Sequence, residues 1–181
     1  IARLIQALPG YDVFSISTLA DDAPAERFTV ARLYPTLRHC RKPVRVTTRD
    51  MADFDATWKL LVAVAGSEAA YRARPFVTHH YCPVVSPLTM DRLSTEALIR
   101  CCEEGLPVYP SIVPNAGLTS PMSMAGTLVQ GNAEFLAITA LMQMVKPGTP
   151  TMYSTLPTVA DLRTGAYASG GIECGMLHMA F

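Results

Sequence analysis

Apolar positions follow two different periods that alternate along the chain. In segment 11–17, bulky apolar residues alternate with small or polar ones, which is the period of a strand. Phe54, Trp58 and Leu61 instead repeat every three or four positions, the period of a helix with one buried face. The pattern predicts strands at 11–17, 43–48, 75–82, 108–113 and 151–155. It predicts helices at 1–8, 25–38, 50–65, 91–104 and 121–146, a loop at 156–171 and a last helix after that loop.

Strands that alternate with helices along the whole chain indicate parallel βαβ units covered by helices. The turns lack the G-x-G-x-x-G pattern that is typical of a dinucleotide-binding sheet, so a barrel is favoured. We therefore predict an α/β fold, a partial (β/α)8 TIM barrel of about five consecutive βα units, in one domain over residues 1–181. The chain begins at Ile1 and stops at Phe181 inside helical patterns, so we expect it to be truncated at both ends. Because roughly three strands of the barrel's site would be missing, we expect the chain to be inactive on its own.

One strand–loop–helix unit carries most of the candidate chemistry. Pro114 has no N–H for a sheet ladder, so it should end the strand, and residues 115–117 should form a turn. Thr119 or Ser120 is a suitable N-cap for the helix that follows, with Pro121 in the first helical position. The N–H groups at this helix start would suit a carboxylate or another anion.

The same helix has a polar stripe. Thr127, Gln130 and Glu134 are three and four residues apart, so they lie on one face. Two interpretations remain open, because these groups could bind a substrate or could merely tie the helix to its loop. Gly126 and Gly131 weaken a helix by roughly 1 kcal/mol each relative to alanine, which suggests close approach of another part of the chain.

In a barrel, the loops after the carboxyl ends of the strands build the active site. Polar side chains at the ends of the predicted strands and in the loops after them, together with those of the stripe, are therefore expected to meet at one mouth. The predicted substrate-binding residues are His79, Tyr81, Asn115, Thr119, Ser120, Gln130, Glu134, Tyr153, Asp161 and Arg163.

Several of these residues have competing interpretations. His79 and His80 are adjacent on a strand and point to opposite faces, so a zinc site is not favoured. A Cys82 nucleophile with a histidine base is equally weakly indicated, because nearness in sequence is not the geometry of a dyad. Asp161 and Arg163 are more often a pair that holds a loop than a catalytic pair. Tyr81, Tyr109 and Tyr153 could form part of a cage for a quaternary ammonium, or they could be ordinary core or rim tyrosines.

Composition and charge limit the kinds of binding partner and the cellular compartment that we expect for this chain. The 181 residues carry 15 basic and 15 acidic side chains, and no basic run, so the usual footprint for nucleic acid is missing. No apolar stretch reaches about 18 residues, which argues against a membrane span. The five cysteines are scattered without a C-x-x-C motif, which is typical of a cytoplasmic protein.

Several segments of the chain closely resemble one family, the corrinoid-dependent trimethylamine methyltransferases, which include glycine betaine methyltransferases. The resemblance extends from about residue 38 to the end. Its segments are 116–134, 145–150, Tyr153 and 161–166, with 86–88 similar to the family's loop after the preceding strand.

The resemblance implies a TIM barrel nearly three times as long as this chain. It implies transfer of a methyl group from trimethylamine or a quaternary amine such as glycine betaine to cobalt in a separate corrinoid protein. The cofactor would be a corrinoid carried by that partner, and no metal is expected on this chain. Two alternatives are another TIM-barrel enzyme acting on a small polar metabolite without corrinoid, and a non-catalytic oligomerising fragment. An open sheet and the apolar segment 135–145 also favour a homo-oligomer.

Overall fold

The chain has a mixed α/β fold, seen in a computed structural model that describes residues 1–16 and 27–181. The helices are α1 (Ala2–Ala7), α2 (Phe28–His39), α3 (Met51–Ala65), α4 (Glu68–Ala73), α5 (Arg92–Glu104), α6 (Met124–Val145) and α7 (Ile172–Ala180). The strands are β1 (Phe14–Ser15), β2 (Val44–Val46), β3 (Val77–Tyr81), β4 (Val84–Val85), β5 (Thr89–Met90), β6 (Val108–Pro110), β7 (Asn115–Ala116), β8 (Thr158–Asp161) and β9 (Ala166–Tyr167). The end of predicted strand 11–17 and the start of predicted helix 25–38 lie outside the described residues.

A parallel sheet forms the centre of the fold. Its order is β1-β2-β3-β6, so neighbouring strands follow one another along the chain. Val44 of β2 pairs with Val77 of β3, and His79 of β3 pairs with Val108 of β6. The prediction of parallel strands alternating with helices is confirmed for this sheet.

The two faces of the sheet are covered unequally. In β2, β3 and β6 the residues on one face are buried, whereas the residues between them are only half-buried. The buried face packs against helices through a continuous apolar cluster that includes Phe54 and Leu61 of α3 and Leu98 of α5. The opposite face carries Arg45 and Tyr109, which line a cavity of about 310 Å³.

Two predictions after β6 are wrong. The segment 151–155 is not a regular strand, because Thr151 and Thr155 make only isolated parallel bridges to Val108 and Ile112. The facing segment contains prolines, which cannot donate to a ladder, so regular pairing is interrupted. The predicted loop 156–171 contains β8, which pairs with β7, and β9, which turns back on β8.

The apolar pattern also fails to predict several short helices and strands in other parts of the chain. The loop after β3 contains the β4–β5 hairpin, and α4 follows α3 directly. The predicted turn at 115–117 is partly strand, because Asn115 pairs with Thr158. A two-residue strand or a six-residue helix is too brief to show a period.

The long helix α6 begins later than predicted. Ser123 is its N-cap, and the Ser123 hydroxyl accepts a hydrogen bond from the Gly126 N–H at 3.2 Å. The predicted caps Thr119 and Ser120, and Pro121 as first helical residue, are therefore wrong. The predicted close approach at Gly131 is confirmed, because a Cβ there would lie 2.7 Å from Phe181 Cζ.

Replacing the observed cap tests this boundary. We expect Ser123→Ala to lower the free energy of unfolding by about 1 kcal/mol, because the Gly126 N–H loses its acceptor. Ser123→Asp should restore stability, since a carboxylate caps equally well and interacts favourably with the helix dipole. Urea unfolding of both variants measures the difference. Equal stability of the alanine variant and the unsubstituted chain would contradict the assignment.

Candidate functional site

Glu134 joins the loop after β3 to α6. This glutamate is 2% exposed, and its Oε2 accepts a 2.7 Å hydrogen bond from the Ser86 hydroxyl. Its Oε1 accepts from the Leu88 N–H at 2.9 Å, and Leu88 has a φ of 55°, in the left-handed region. A non-glycine residue rarely adopts that conformation without support from its surroundings. The carboxylate therefore fixes the conformation of the loop.

Gln130 joins the second loop to the same helix. Its side-chain NH2 donates to the Thr119 carbonyl at 2.8 Å and to Glu134 Oε1 at 3.0 Å. One turn earlier on the helix, Thr127 bonds the Ser120 hydroxyl at 2.9 Å. The polar stripe thus ties α6 to both loops, which is the second of the two interpretations that the spacing left open.

Asn115 organises the turn after β7. Its carbonyl accepts hydrogen bonds from the N–H groups of Leu118, Thr119 and Ser120, at 2.9 to 3.1 Å. The expected anion site is therefore not formed by Thr119 and Ser120, because both N–H groups are occupied and the helix begins at Met124. The Asn115 Oδ1 atom is buried and has no hydrogen-bond partner in the described part of the chain. Such an acceptor can still bind a donor or a positive charge.

The two adjacent histidines lie on opposite faces of β3, as predicted. His79 is 1% exposed and packs on the helix side, with its ring centroid 5.3 Å from that of Phe54. Burial lowers its pKa to about 4. His80 lies on the other face and bonds Thr47 Oγ1 at 3.1 Å. Burial, and secondarily the Arg45 charge, lower the pKa of His80 to about 4. His79 is thus packed against α3 on the helix-covered face of the sheet.

The three tyrosines do not come together as a cage. Tyr81 is buried on the helix side, and its hydroxyl bonds Thr48 at 2.6 Å. Burial is the main cause that raises the Tyr81 pKa above its usual value. Tyr109 lies on the opposite face of the sheet, where the Arg45 guanidinium is 5.3 Å from its ring centroid. Tyr153 packs on Phe135, and its hydroxyl donates to Asn132 at 3.0 Å.

Asp161 and Arg163 belong to the β8–β9 hairpin. Asp161 Oδ1 accepts from the Arg163 backbone N–H at 2.9 Å, so the carboxylate shapes the turn. Leu162, between them, reaches the turn after β7, because a Cβ on Gly117 would lie 2.9 Å from Leu162 Cδ2. Gly117 also has a φ of 88°, which favours glycine. The hairpin tip therefore lies beside the Asn115 turn.

The predicted site residues lie in three separate places in the structure. Asn115, Thr119, Ser120, Gln130 and Glu134 come together between the two loops and α6. The hairpin residues Asp161 and Arg163 lie next to this group. His79, Tyr81 and Tyr153 lie apart, against helices. Sequence reasoning missed the Leu88 N–H as a partner of Glu134, because a backbone donor leaves no signal in the side-chain pattern.

Residues 1–16 and 27–181 contain neither a metal-binding cluster nor a membrane-spanning helix. No three His, Cys, Asp or Glu side chains gather there in a way that could hold a metal ion. No helix within those ranges has the length and apolar character needed to cross a membrane. Four of the five free cysteines are buried, and Cys82 is exposed.

The fold and the loop cluster define an α/β protein with a parallel sheet and polar loops held by one long helix. Residues 1–181 match the family described as trimethylamine methyltransferase (MTTB), and the chain belongs to this family. Trimethylamine methyltransferase MttB1 of Methanosarcina acetivorans is 35% identical over 184 aligned residues, which cover 98% of this chain and 36% of that protein.

Two relatives from Desulfitobacterium hafniense are also similar. Trimethylamine methyltransferase MttB is 33% identical over 126 residues, which cover 70% of this chain and 25% of the relative. Glycine betaine methyltransferase is 38% identical over 92 residues, which cover 51% of this chain and 19% of the relative. The chain therefore spans only 19% to 36% of the length of these relatives.

Proposed function

We propose that this chain is part of a methyltransferase that moves a methyl group from trimethylamine, or from a quaternary amine such as glycine betaine, to the cobalt of a corrinoid protein. The observation that carries the proposal is the family match over residues 1–181. The names of the relatives, trimethylamine methyltransferase and glycine betaine methyltransferase, support the two substrate classes.

We propose a partial (β/α)8 barrel as the architecture. The strand order β1-β2-β3-β6 is parallel and sequential, as a barrel requires. The next segment of chain continues this order, because Thr151 bridges to Val108 of β6 and Thr155 bridges to Ile112, two residues after the end of β6. The loops that Glu134 and Gln130 hold follow neighbouring strands at their carboxyl ends, where barrel enzymes build their sites.

The role of these residues follows from what their atoms already bind. The Gln130 NH2 group already donates to the Thr119 carbonyl, and the Glu134 carboxylate already accepts from Ser86 and Leu88, so these two side chains would position the loops. Asn115 keeps a free buried oxygen, which would face the positive charge of a methylated amine. A quaternary ammonium already carries a neutral leaving group, so the protein mainly has to orient the substrate and exclude water.

The corrinoid would belong to the partner protein, where it supplies the nucleophilic cobalt that accepts the methyl group. The loop cluster would form the surface that receives this partner. Scattered free cysteines support a cytoplasmic location.

An anaerobic assay tests the proposed function. The full-length protein that contains this chain is mixed with a corrinoid protein in the Co(I) state and then with glycine betaine or trimethylamine, and the visible spectrum is followed. We expect methyl-cobalt to appear with one of these donors. Spectra that stay unchanged with both donors would contradict the proposal.

Two asparagines provide a matched pair of variants for that assay. We expect Asn115→Ala to raise KM for the methyl donor about tenfold, because the substrate loses a buried polar contact. Asn132→Ala removes an exposed amide whose one side-chain hydrogen bond within the described residues is to the Tyr153 hydroxyl, so KM should not change. Equal effects of both substitutions would remove Asn115 from the site while leaving the methyl transfer itself in place.

A further inference from the structure

One arginine lies on the face of the central sheet opposite the helix-covered one. Arg45 of β2 pairs with Ser15 of β1 on one side and with Thr78 of β3 on the other, so the three side chains share this face. The Arg45 side chain is half-buried, and its Nε donates a 3.1 Å hydrogen bond to the Ser15 hydroxyl. Neutral neighbours therefore hold this charged side chain in place.

The guanidinium of Arg45 reaches along the sheet toward the carboxyl ends of the strands. Its central carbon is 5.3 Å from the ring centroid of Tyr109. Tyr109 pairs with His80, which lies two residues beyond Thr78 on β3. Two residues of a strand span roughly 6.6 Å, and the Arg45 charge also lowers the pKa of His80. The charge of Arg45 therefore lies nearer to the loops of the candidate site than its backbone does.

This positive charge has no negative partner in the described part of the chain. The ion pairs within residues 1–16 and 27–181 join other arginines to glutamates, namely Arg72, Arg92 and Arg100. Among the N–H donors of the Arg45 guanidinium, the one on Nε alone has a hydrogen-bond acceptor there. The two Nη atoms are left for a planar acceptor, and a carboxylate matches this fork with two parallel hydrogen bonds.

The arginine also lines a cavity of about 310 Å³. The lining residues are Val13, Ser15, Arg45, Thr78, Tyr109 and Met152, and none of them is acidic. In the proposed barrel this face of the sheet turns inward, so further strands would enclose the cavity. An enclosed charge without a partner costs several kcal/mol, so the closed site requires an anion beside Arg45.

We propose that Arg45 binds the carboxylate of the methyl donor, so that the donor is a zwitterionic quaternary amine such as glycine betaine and not trimethylamine. This inference rests on the proposed methyl transfer and names its substrate class. Trimethylamine is a cation at neutral pH, and the Arg45 guanidinium repels a cation more strongly in an enclosed site than in water. A zwitterion presents its carboxylate to the arginine and keeps its ammonium group farther away. Tyr109 acts as a positioning residue that holds the guanidinium.

Ligand binding to the full-length protein that contains this chain tests the assignment. Titration calorimetry compares glycine betaine with choline, which has the same trimethylammonium group but a hydroxyl in place of the carboxylate. We expect Arg45→Met to raise the Kd of glycine betaine at least about 30-fold, because two charge-assisted hydrogen bonds are lost. The same substitution should not weaken the binding of choline. Arg45→Lys keeps the charge but not the fork, so it should recover only part of the affinity.

Arg38 provides a matched control variant. Its guanidinium lies over the ring of Tyr34, 5.8 Å from the ring centroid, and Arg38 is exposed on α2. Arg38→Met therefore removes the same charge from a second arginine–tyrosine pair, and the affinity for glycine betaine should stay unchanged. An equal loss of affinity in both variants would overturn the proposal, and so would glycine betaine binding that Arg45→Met does not affect.

Thermal unfolding without ligand distinguishes a carboxylate of the substrate from a carboxylate of the protein itself. Methionine retains the aliphatic stem of the arginine but removes a charge that has no internal partner. Arg45→Met should therefore leave the Tm of the free protein unchanged or raise it. A fall in Tm of more than about 5 °C would show that an acidic side chain elsewhere in the protein pairs with Arg45, and it would overturn the proposal.

The same experiments separate this proposal from the proposed function. Glycine betaine that binds through Arg45 without forming methyl-cobalt would refute the methyl transfer and leave the carboxylate site in place. Methyl-cobalt that forms from trimethylamine as readily as from glycine betaine would support the methyl transfer and overturn the substrate class.

Discussion

Glu134→Ala is expected to destabilise the chain by about 3–4 kcal/mol. The substitution leaves the Ser86 hydroxyl and the Leu88 N–H without their acceptor, and it removes one of the two acceptors of the Gln130 amide. A buried donor that loses its partner costs about 1–3 kcal/mol, and the lost side chain also leaves a cavity. This is a large share of the 5–15 kcal/mol that typically separates folded and unfolded states.

Two measurements and two control variants separate the loss of these hydrogen bonds from a general loss of charge. Urea unfolding gives the free energy, and hydrogen exchange at the Leu88 amide reports the local contact, which should lose its protection. Glu134→Gln should cost less, about 1–2 kcal/mol, because it keeps the shape but turns one acceptor into a donor. Glu96→Ala is the surface control and should change stability by less than about 0.5 kcal/mol, since Glu96 faces Arg92 across an exposed 3.7 Å pair. A loss below about 1 kcal/mol for Glu134→Ala would contradict its role in holding the loops.

His79 should make the chain sensitive to acid. Burial lowers its pKa in the folded chain to about 4, and neither ring nitrogen has a hydrogen-bond partner in the described ranges. The unfolded histidine has a pKa of about 6.5, so the unfolded state binds more protons between these values. Stability contributed by the neutral imidazole is therefore complete above about pH 6.5 and is lost as the pH falls toward 4. The loss from this one group should reach about 2 kcal/mol at pH 5 and about 3 kcal/mol near pH 4.

Replacing His79 by phenylalanine should flatten this dependence. The new ring would pack against Phe54 and Tyr81 without a titrating group, so the free energy of unfolding should fall less between pH 7 and pH 5. His80 has a similarly low pKa and would retain part of the slope. His39→Gln, at an exposed histidine, controls for the loss of any imidazole. An unchanged pH dependence in the His79→Phe variant would show that His79 does not cause the acid sensitivity.

The polar stripe on α6 shows which features of the site can be predicted from the sequence. The spacing of Thr127, Gln130 and Glu134 alone predicts that they lie on one face, because helical period is a local property. It left open what the face contacts, since that depends on where residues 86–88 and 115–120 lie in space. Only the tertiary structure shows that Glu134 holds Leu88, a contact between residues 46 positions apart.

The helices and strands also differ in how accurately the sequence predicts them. The helices α3 and α5 were predicted closely, because their caps Asp50 and Gly105 and their apolar periods are all local signals. The start of α6 was missed because Thr119, Ser120 and Ser123 are all plausible caps, and the Asn115 carbonyl occupies the N–H groups of the first two. Segment 151–155 reads as a strand by composition, yet the facing prolines prevent a regular ladder.

The sequence by itself determined the alternation of strands and helices, the polar face of α6, the opposite orientation of His79 and His80, and the membership of the family. These properties follow from local periodicity and from motifs within single segments. The tertiary structure decided which polar groups meet, because hydrogen-bond partners such as Ser86 and Glu134 come from distant segments. It also decided that Tyr81, Tyr109 and Tyr153 are apart, since the pairing of strands and the packing of helices set the side of the sheet on which each lies.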